Sequence, residues 1–550
     1  MKKSSHDSRN FENKTLESFS KRTRVYSCLS LFALSLATSS HAASSTPDSD
    51  EGKTNAGVLQ CLSLKDRKLG SNGEAVVTNI SLDFLGGYCV VDAKMNDSDL
   101  KFQLHLPTKW NNNLAFLGGG GFDGSIPNLS TYPFFSPSIK SDGYAIMATN
   151  GGHDGGLIDS SFARDPRKLA DYTSEATHRA LPFGREIITT YYGKSADRSY
   201  FEGGSKGGQE GVIEAQRYPE DFDGIVARSS GSHAVGQFVN FSRVAQQLAK
   251  PNSKLGLPEQ KLLSDAVFKA CDEKDGLKDG IISNPIACKF KPEVLRCSWG
   301  GSDPWFHSCL SDEQISSVNV IASPLVTSSK NIHFEGYGFA GGESDISGGW
   351  GLFQWPLPLV NISGGQIFAE SFIKDFVQNL VSPDDPGYID PKTWSPEQSI
   401  PRLEELNKLF DTSNPDLSGF KKRGGKLVSL DGTIDSAVSF IDQTKYYDSV
   451  ISTMGQSDAD SVIEFFAAPG VGHVGMGGNG PYGVDLIKAV STWVEQGTPP
   501  SKQNLTLVKK NLLGQITLER PLCKYPSYPK YDGKGPQEKA SSFNCTAPDL

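Results

Sequence analysis

The sequence has no H-E-x-x-H, no C-x-x-C, and only nine histidines in 550 residues, few of them clustered. Zinc-hydrolase and dithiol-redox chemistry therefore have no motif to rest on. There is no long basic run, and the formal net charge is −9, which sets nucleic acid aside as a partner. Past residue 42 no apolar stretch has the length of a membrane span. Nothing repeats at a fixed period, which excludes solenoid architectures.

What is present is a soluble-type composition, 37% hydrophobic and 21% charged, with 57 glycines and 31 prolines. The length suits one large domain with an insertion, or two domains. The N-terminus reads as a leader. "KRTR" (21–24) precedes "VYSCLSLFALSLATSSHAA", a short apolar core ending in small residues, with a cut expected after Ala42. The core is short and rich in Ser and Thr for a span, and a membrane anchor is the alternative. Removing residues 1–42 also removes Cys28 and leaves eight cysteines: 61, 89, 271, 288, 297, 309, 523 and 545. An even number in an exported chain argues for disulfides, the simplest arrangement being sequential pairs that each close a short loop.

From about residue 58 to 227, short apolar runs alternate with Gly-rich turns. "KFQLHLP", "NLAFLGG", "YAIMATN" and "SYFEGG" read as strands, and "TSEATHRALPFGREIITTYYG" as a helix. The rhythm breaks over 228–422 and resumes over 423–550 with "GKLVSLDG", "FIDQTKYYDSVIS", "VIEFFAAPG" and "GVDLIKAVSTWVEQG". The pattern predicts an α/β sheet domain interrupted by a large insertion. Five of the seven tryptophans (Trp299, Trp305, Trp350, Trp355, Trp394) fall in that insertion. They suit either a lid over a flat aromatic substrate or a small core of the insertion itself.

Residues 200–208, "YFEGGSKGG", place Gly203, Ser205 and Gly207 in a G-x-S-x-G frame between a strand and a helix. That is the pattern of a nucleophile elbow, in which small neighbours relieve a sharp turn. A serine nucleophile needs a base and an acid to orient it, in the chain order Ser, Asp/Glu, His. After Ser205, the resumed α/β region holds one histidine, His473, in the glycine-rich loop of "APGVGHVGMGG". His153, His178 and His233 read as structural. For the acid, "GKLVSLDGTID" offers Asp431 and Asp435, and spacing leaves both open. An oxyanion hole is expected from the N–H of Lys206 together with that of Gly119 or Gly120 in "LGGGGFDG" (117–124).

One further stretch, "CDEKDGLKDGII" (271–282), sets Asp272, Asp275 and Asp279 in a glycine-containing loop flanked by Cys271 and Cys288. Carboxylates with carbonyls between them form a hard-oxygen cage of the Ca²⁺ type, although the EF-hand spacing is absent. The alternative is a solvated acidic turn.

Taken together, "LGGGGFDGS", "ATNGGHDGG", "GGSKGGQEGVIEAQRYPEDFDGIVA", "CDEKDGLKDGII", "GGKLVSLDGTID" and "PGVGHVGMGG" appear in an order that resembles the tannase and feruloyl esterase family, which also contains a hydrolase of mono(2-hydroxyethyl) terephthalate. The resemblance runs from about residue 60 to the end. It implies an α/β-hydrolase fold with an inserted lid domain, and a triad of Ser205, Asp435 and His473, the acid falling at the end of a G-x-x-D run. It implies structural Ca²⁺ held by Asp272, Asp275 and Asp279 with the carbonyls of Leu277 and Ile281, and no organic cofactor. It also implies the disulfides Cys61–Cys89, Cys271–Cys288, Cys297–Cys309 and Cys523–Cys545. The activity implied is that of a secreted or periplasmic serine esterase acting on small aromatic esters such as feruloyl or galloyl esters. A terephthalate-monoester hydrolase and an inactive binding protein on the same fold are the alternatives, and the oligomeric state is left open. In one respect the chain departs from the family. Where the family carries cysteines directly before the nucleophile and directly after the base, Gly204 and Val474 stand.

Overall fold

The apolar runs become strands of a ten-stranded mixed sheet: β1 Lys68–Leu69, β2 Ala75–Asp83, β3 Tyr88–Met95, β4 Lys101–Pro107, β5 Asn113–Leu117, β6 Ala145–Thr149, β7 Arg198–Gly204, β8 Gly224–Arg228, β9 Lys426–Gly432 and β10 Ile463–Ala468. The computed structural model describes residues 57–548, apart from 84–85, 132–134, 302, 304, 356–367 and 385–389. The leader expected over 1–42 lies outside the described residues. The described residues pack as one unit.

The strand order is β1-β2-β3-β4-β6-β5-β7-β8-β9-β10. The β1–β4 pairs are antiparallel, and so is β4 with β6. From β6 across β5, β7, β8 and β9 to β10 every pair is parallel. The parallel half is buried on both faces, which is why "AIMAT" and "GIVAR" are apolar runs rather than alternating ones. The β2–β3 ribbon that opens the sheet does alternate, and sequence reading passed over it.

Helices α1 (Ala176–Tyr192), α2 (Lys206–Arg217), α7 (Phe440–Met454) and α8 (Leu486–Gln496) flank the sheet, and α3 (Ala234–Leu248), α4 (Leu257–Cys271), α5 (Asp312–Ala322) and α6 (Ile400–Phe410) lie in sequence between β8 and β9. On one face, Leu181, Ile187 and Ile188 of α1 and Val212 of α2 close on Phe102, Phe116 and Phe201. On the other, α8 lays Leu486, Ile487, Val490 and Trp493 against Val226, Val428 and Phe466. Its ends follow the capping rules: Asp485 accepts from the Lys488 N–H, and Gly497 takes the left-handed conformation at the C-terminus.

The helices between β8 and β9, α3 to α6 among them, pack into a further core that also takes in Phe122, Phe162, Leu169 and Tyr172 from the segment before β7. Trp350, Trp355 and Trp394 are buried in it, while Trp299 and Trp305 are 65% and 86% exposed. The insertion's tryptophans are thus divided between core and surface.

Four disulfides join Cys61 to Cys89, Cys271 to Cys288, Cys297 to Cys309 and Cys523 to Cys545. No helix among the described residues is long and apolar enough to cross a membrane.

Candidate active site

The elbow between β7 and α2 explains the four glycines around Ser205. Ser205 has φ 59° and ψ −123°, a strained backbone for a residue with a side chain. At Gly203 a Cβ would lie 2.3 Å from the Gly207 carbonyl oxygen, and at Gly207 it would lie 2.8 Å from the Gly118 backbone. Neither position has room for any other residue.

The serine hydroxyl meets its partners across a long reach of chain. Ser205 Oγ lies 2.9 Å from His473 Nε2, and His473 Nδ1 lies 2.8 and 3.0 Å from the two oxygens of Asp435. A carboxylate only accepts, so this contact puts the imidazole proton on Nδ1 and leaves Nε2 to accept from Ser205. Asp435 is itself held by the N–H groups of Ala437 and Val438, both at 2.9 Å. Spacing left Asp431 and Asp435 open, and the structure separates them. Asp431 is the next-to-last residue of β9 and accepts the Ser229 N–H at 2.9 Å. Burial, with the Asp435 charge nearby, pushes its carboxyl well above the usual range. Of the other histidines, His178 binds Asp221 at 2.6 Å, His233 binds Asp442 at 2.9 Å, and His153 stacks on Phe162.

The glycine loop after β5 corrects one expectation. The Gly119 N–H donates to Glu210 Oε2 at 3.1 Å, and the Gly120 N–H donates to Asp123 Oδ1 at 2.7 Å. Neither is free for a substrate oxygen. Next along the loop, the N–H of Gly121 meets no acceptor among the described residues, nor does that of Lys206. Sequence could not reveal this, because Glu210 comes from α2.

Ser205 and His473 open onto a cavity of about 510 Å³. Its wall is made of phenylalanine rather than tryptophan: Phe122, Phe238, Phe241, Phe353, Phe372 and Phe410 all face it. Lys206 brings an ammonium to the described lining residues, and it is 2.7 Å from Glu210.

A scan of the chain against family descriptions matches residues 87–546 to "Tannase and feruloyl esterase". The chain belongs to the tannase and feruloyl esterase family. It is accordingly an ester hydrolase. A probable feruloyl esterase of Arthroderma benhamiae is 31% identical over 469 residues, covering 80% of this chain and 81% of that one. A mono(2-hydroxyethyl) terephthalate hydrolase of Piscinibacter sakaiensis is 28% identical over 509 residues, covering 82% of each. The crystal structure of feruloyl esterase B from Aspergillus oryzae superposes with a TM-score of 0.72 at 24% identity, covering 84% of this chain and 91% of that one, which bears on the fold alone.

The family's cysteine positions are adjacent here. A Cβ built on Gly204 lies 2.9 Å from Val474 Cγ1. Val474 has φ 46°, left-handed and strained for a β-branched residue.

The acidic loop does not form the expected calcium site. Among the described residues no three His, Cys, Asp or Glu side chains gather to hold a metal ion. The carboxylates are taken up singly. Asp272 accepts the Gly280 N–H at 3.0 Å, and Asp275 accepts those of Leu277 at 3.1 Å and Ser283 at 2.9 Å. Asp279 accepts from Ile281 at 3.0 Å and pairs with the Arg520 guanidinium. Leu277 and Ile281 therefore serve this loop as N–H donors. Burial raises the Asp275 pKa to about 6.

Proposed function

We propose that this ester hydrolase uses Ser205, His473 and Asp435 as its catalytic triad and acts on neutral esters of aromatic acids, of the feruloyl or galloyl kind. The observation that carries this is the hydrogen-bonded relay from Ser205 through His473 to Asp435, opening onto a phenylalanine-walled cavity. Ser205 attacks the ester carbonyl as His473 Nε2 takes its proton. Asp435 keeps the imidazole in the required tautomer and stabilises its charged form. The N–H groups of Lys206 and Gly121 face the developing oxyanion. His473 then returns the proton to the leaving alkoxide, and water repeats the sequence to release the acid.

A flat aryl acyl group suits rings that offer faces and edges on several sides. The terephthalate-monoester reading shares this chemistry but brings a second carboxylate, which needs a counter-charge when buried. The cavity's ammonium already faces Glu210, and this favours an uncharged ring. Four disulfides support residence in an oxidising compartment, secreted or periplasmic. The test is a hydrolysis panel of methyl ferulate, methyl gallate and mono(2-hydroxyethyl) terephthalate. Higher kcat/KM on either methyl ester is expected. Fastest turnover of the terephthalate monoester would overturn the substrate reading, and silence on all three would overturn the site.

A further inference from the structure

Behind the glycine loop lies a buried ionic cluster that neither the relay nor the cavity requires. The Lys206 ammonium is 2.7 Å from Glu210, one helical turn along α2, and 4.0 Å from Asp123. It also stands 4.7 Å from the centre of the Tyr172 ring. The side chains of Lys206 and Asp123 are only 4% and 2% exposed. An ammonium so withdrawn from water is stable only where counter-charge and hydrogen bonds meet it.

Each member of this cluster also grips the backbone of the glycine loop. Glu210 Oε2 accepts from the Gly119 N–H at 3.1 Å, and Asp123 Oδ1 accepts from the Gly120 N–H at 2.7 Å. The Tyr172 hydroxyl donates to the Gly121 carbonyl at 3.0 Å. Three consecutive residues are thus tied to three side chains that converge on one ammonium. Backbone bonds hold part of the loop, from the Asp123 N–H to the Gly120 carbonyl at 2.9 Å and from the Gly207 N–H to the Gly119 carbonyl at 3.2 Å, but its glycines have no side chains to pack, and Gly121 sits at φ 60°. Asp123 is left-handed as well, at φ 56°, and burial beside Glu210 pushes its carboxyl well above the usual range. Burial thus favours the neutral form of the Asp123 carboxyl.

We propose that the Lys206 side chain, through Glu210, Asp123 and Tyr172, is a positioning device that aims the oxyanion loop at the ester carbonyl. One residue would then supply the first oxyanion donor from its backbone and fix the second with its side chain. This rests on reading Ser205 as the nucleophile and the Lys206 N–H as an oxyanion donor. The geometric reason is that a donor acts only over a few tenths of an ångström. Without the ammonium, the Glu210 charge is unmatched in a dry site. Glu210 must then take up a proton or turn toward water, and either change slackens its hold on Gly119.

The experiment uses the full chain. Titrating the wild type with a serine-reactive phosphonate and mapping the adduct to Ser205 checks the underlying reading separately. Lys206→Met keeps the backbone N–H and the bulk. Its kcat on a p-nitrophenyl ester should fall by about 10- to 100-fold, short of the full loss of a donor, with KM little changed. Inhibition by phenylboronic acid, whose tetrahedral adduct on Ser205 places an oxygen in the same hole, should weaken by the same factor. Lys206→Met combined with Glu210→Gln should recover most of the lost kcat, because the cluster is neutral again and the side-chain amide carbonyl at that position still accepts the Gly119 N–H. Should Lys206→Met fail to fold, the double variant and Tyr172→Phe decide. Tyr172→Phe deletes only the hydroxyl on Gly121 and should lower kcat severalfold at constant KM. Wild-type kcat in folded Lys206→Met, or in Tyr172→Phe, would overturn the proposal. So would a double variant as slow as the single one, or a loss that appears only in melting temperature. A wild type that hydrolyses esters without phosphonate capture at Ser205 would instead sink the underlying reading.

Discussion

The candidate triad and the acidic loop are opposites in how their residues are distributed. Ser205, Asp435 and His473 are scattered across the sequence and converge to hydrogen-bond distance. Asp272, Asp275 and Asp279 crowd into one loop, yet their carboxylates turn to separate backbone donors. The difference is one of scaffold. The triad residues lie just beyond the C-terminal ends of parallel strands β7, β9 and β10, where the sheet gathers loops from distant parts of the chain. The acidic loop has no sheet to aim it. Each carboxylate meets the nearest unpaired N–H, and Arg520 from the C-terminal region supplies the positive charge. Closeness in sequence is not convergence in space.

The comparison can be broken first at the triad. Ser205→Ala should leave a folded protein whose ester turnover is down by several orders of magnitude, measured on a p-nitrophenyl ester. Asp435→Asn should cost about 10,000-fold in kcat by upsetting the histidine tautomer. Asp431→Asn should stay near wild type, because Asp431 faces Ser229 rather than His473. Comparable losses in both Asn variants would mean that the acid has been misassigned.

The loop is broken at its cation. Arg520 is almost fully buried beside Asp279, which is partly exposed, and Arg520→Met should lower stability by about 3 kcal/mol in urea titration, leaving kcat intact in the folded fraction. An unshifted midpoint would show that the guanidinium is not what holds the loop. An effect of similar size and opposite sign is expected beside His473. Gly204→Cys with Val474→Cys should form a bridge worth about 2–4 kcal/mol, less if strained, whereas Gly204→Cys alone should not stabilise. Free thiols in the purified double variant would count against that adjacency. The smallest effect belongs to chelation: EDTA, and calcium added afterwards, should leave the melting curve where it was. A curve that falls in EDTA and recovers in calcium would reverse the loop's account.

Much of this was legible in the sequence, for physical reasons. Strands β4 to β7, β9 and β10 are short apolar runs because the sheet buries them, and α1, α2, α7 and α8 keep helical spacing because one stripe of each faces that sheet. The places of Ser205 and His473 at strand ends were legible because a strand-to-helix elbow needs glycine and His473 follows an apolar run. What escaped depended on contacts between distant segments. That the Gly119 N–H is taken by Glu210 cannot be read from "LGGGGFDG". Nor can the choice of phenylalanine over tryptophan for the cavity wall, since both suit a buried aromatic surface. The acidic loop misled because its spacing fits a cation cage and an N–H-binding turn equally well.

The disulfides carry a consequence for biosynthesis. From Cys61 onward each cysteine is bonded to its immediate neighbour in the series. A chain threaded out N-terminus first presents every thiol with its rightful partner as the next to emerge. Oxidation can then keep pace with export, and no bond has to be reshuffled. A cysteine pair at 204 and 474 would break that order. The thiol at 204 would wait through the emergence of Cys271, Cys288, Cys297 and Cys309 before its own partner arrived, with four wrong partners on offer. By lacking that pair, this chain keeps its oxidative assembly strictly sequential and leaves the meeting of Ser205 with His473 to packing alone.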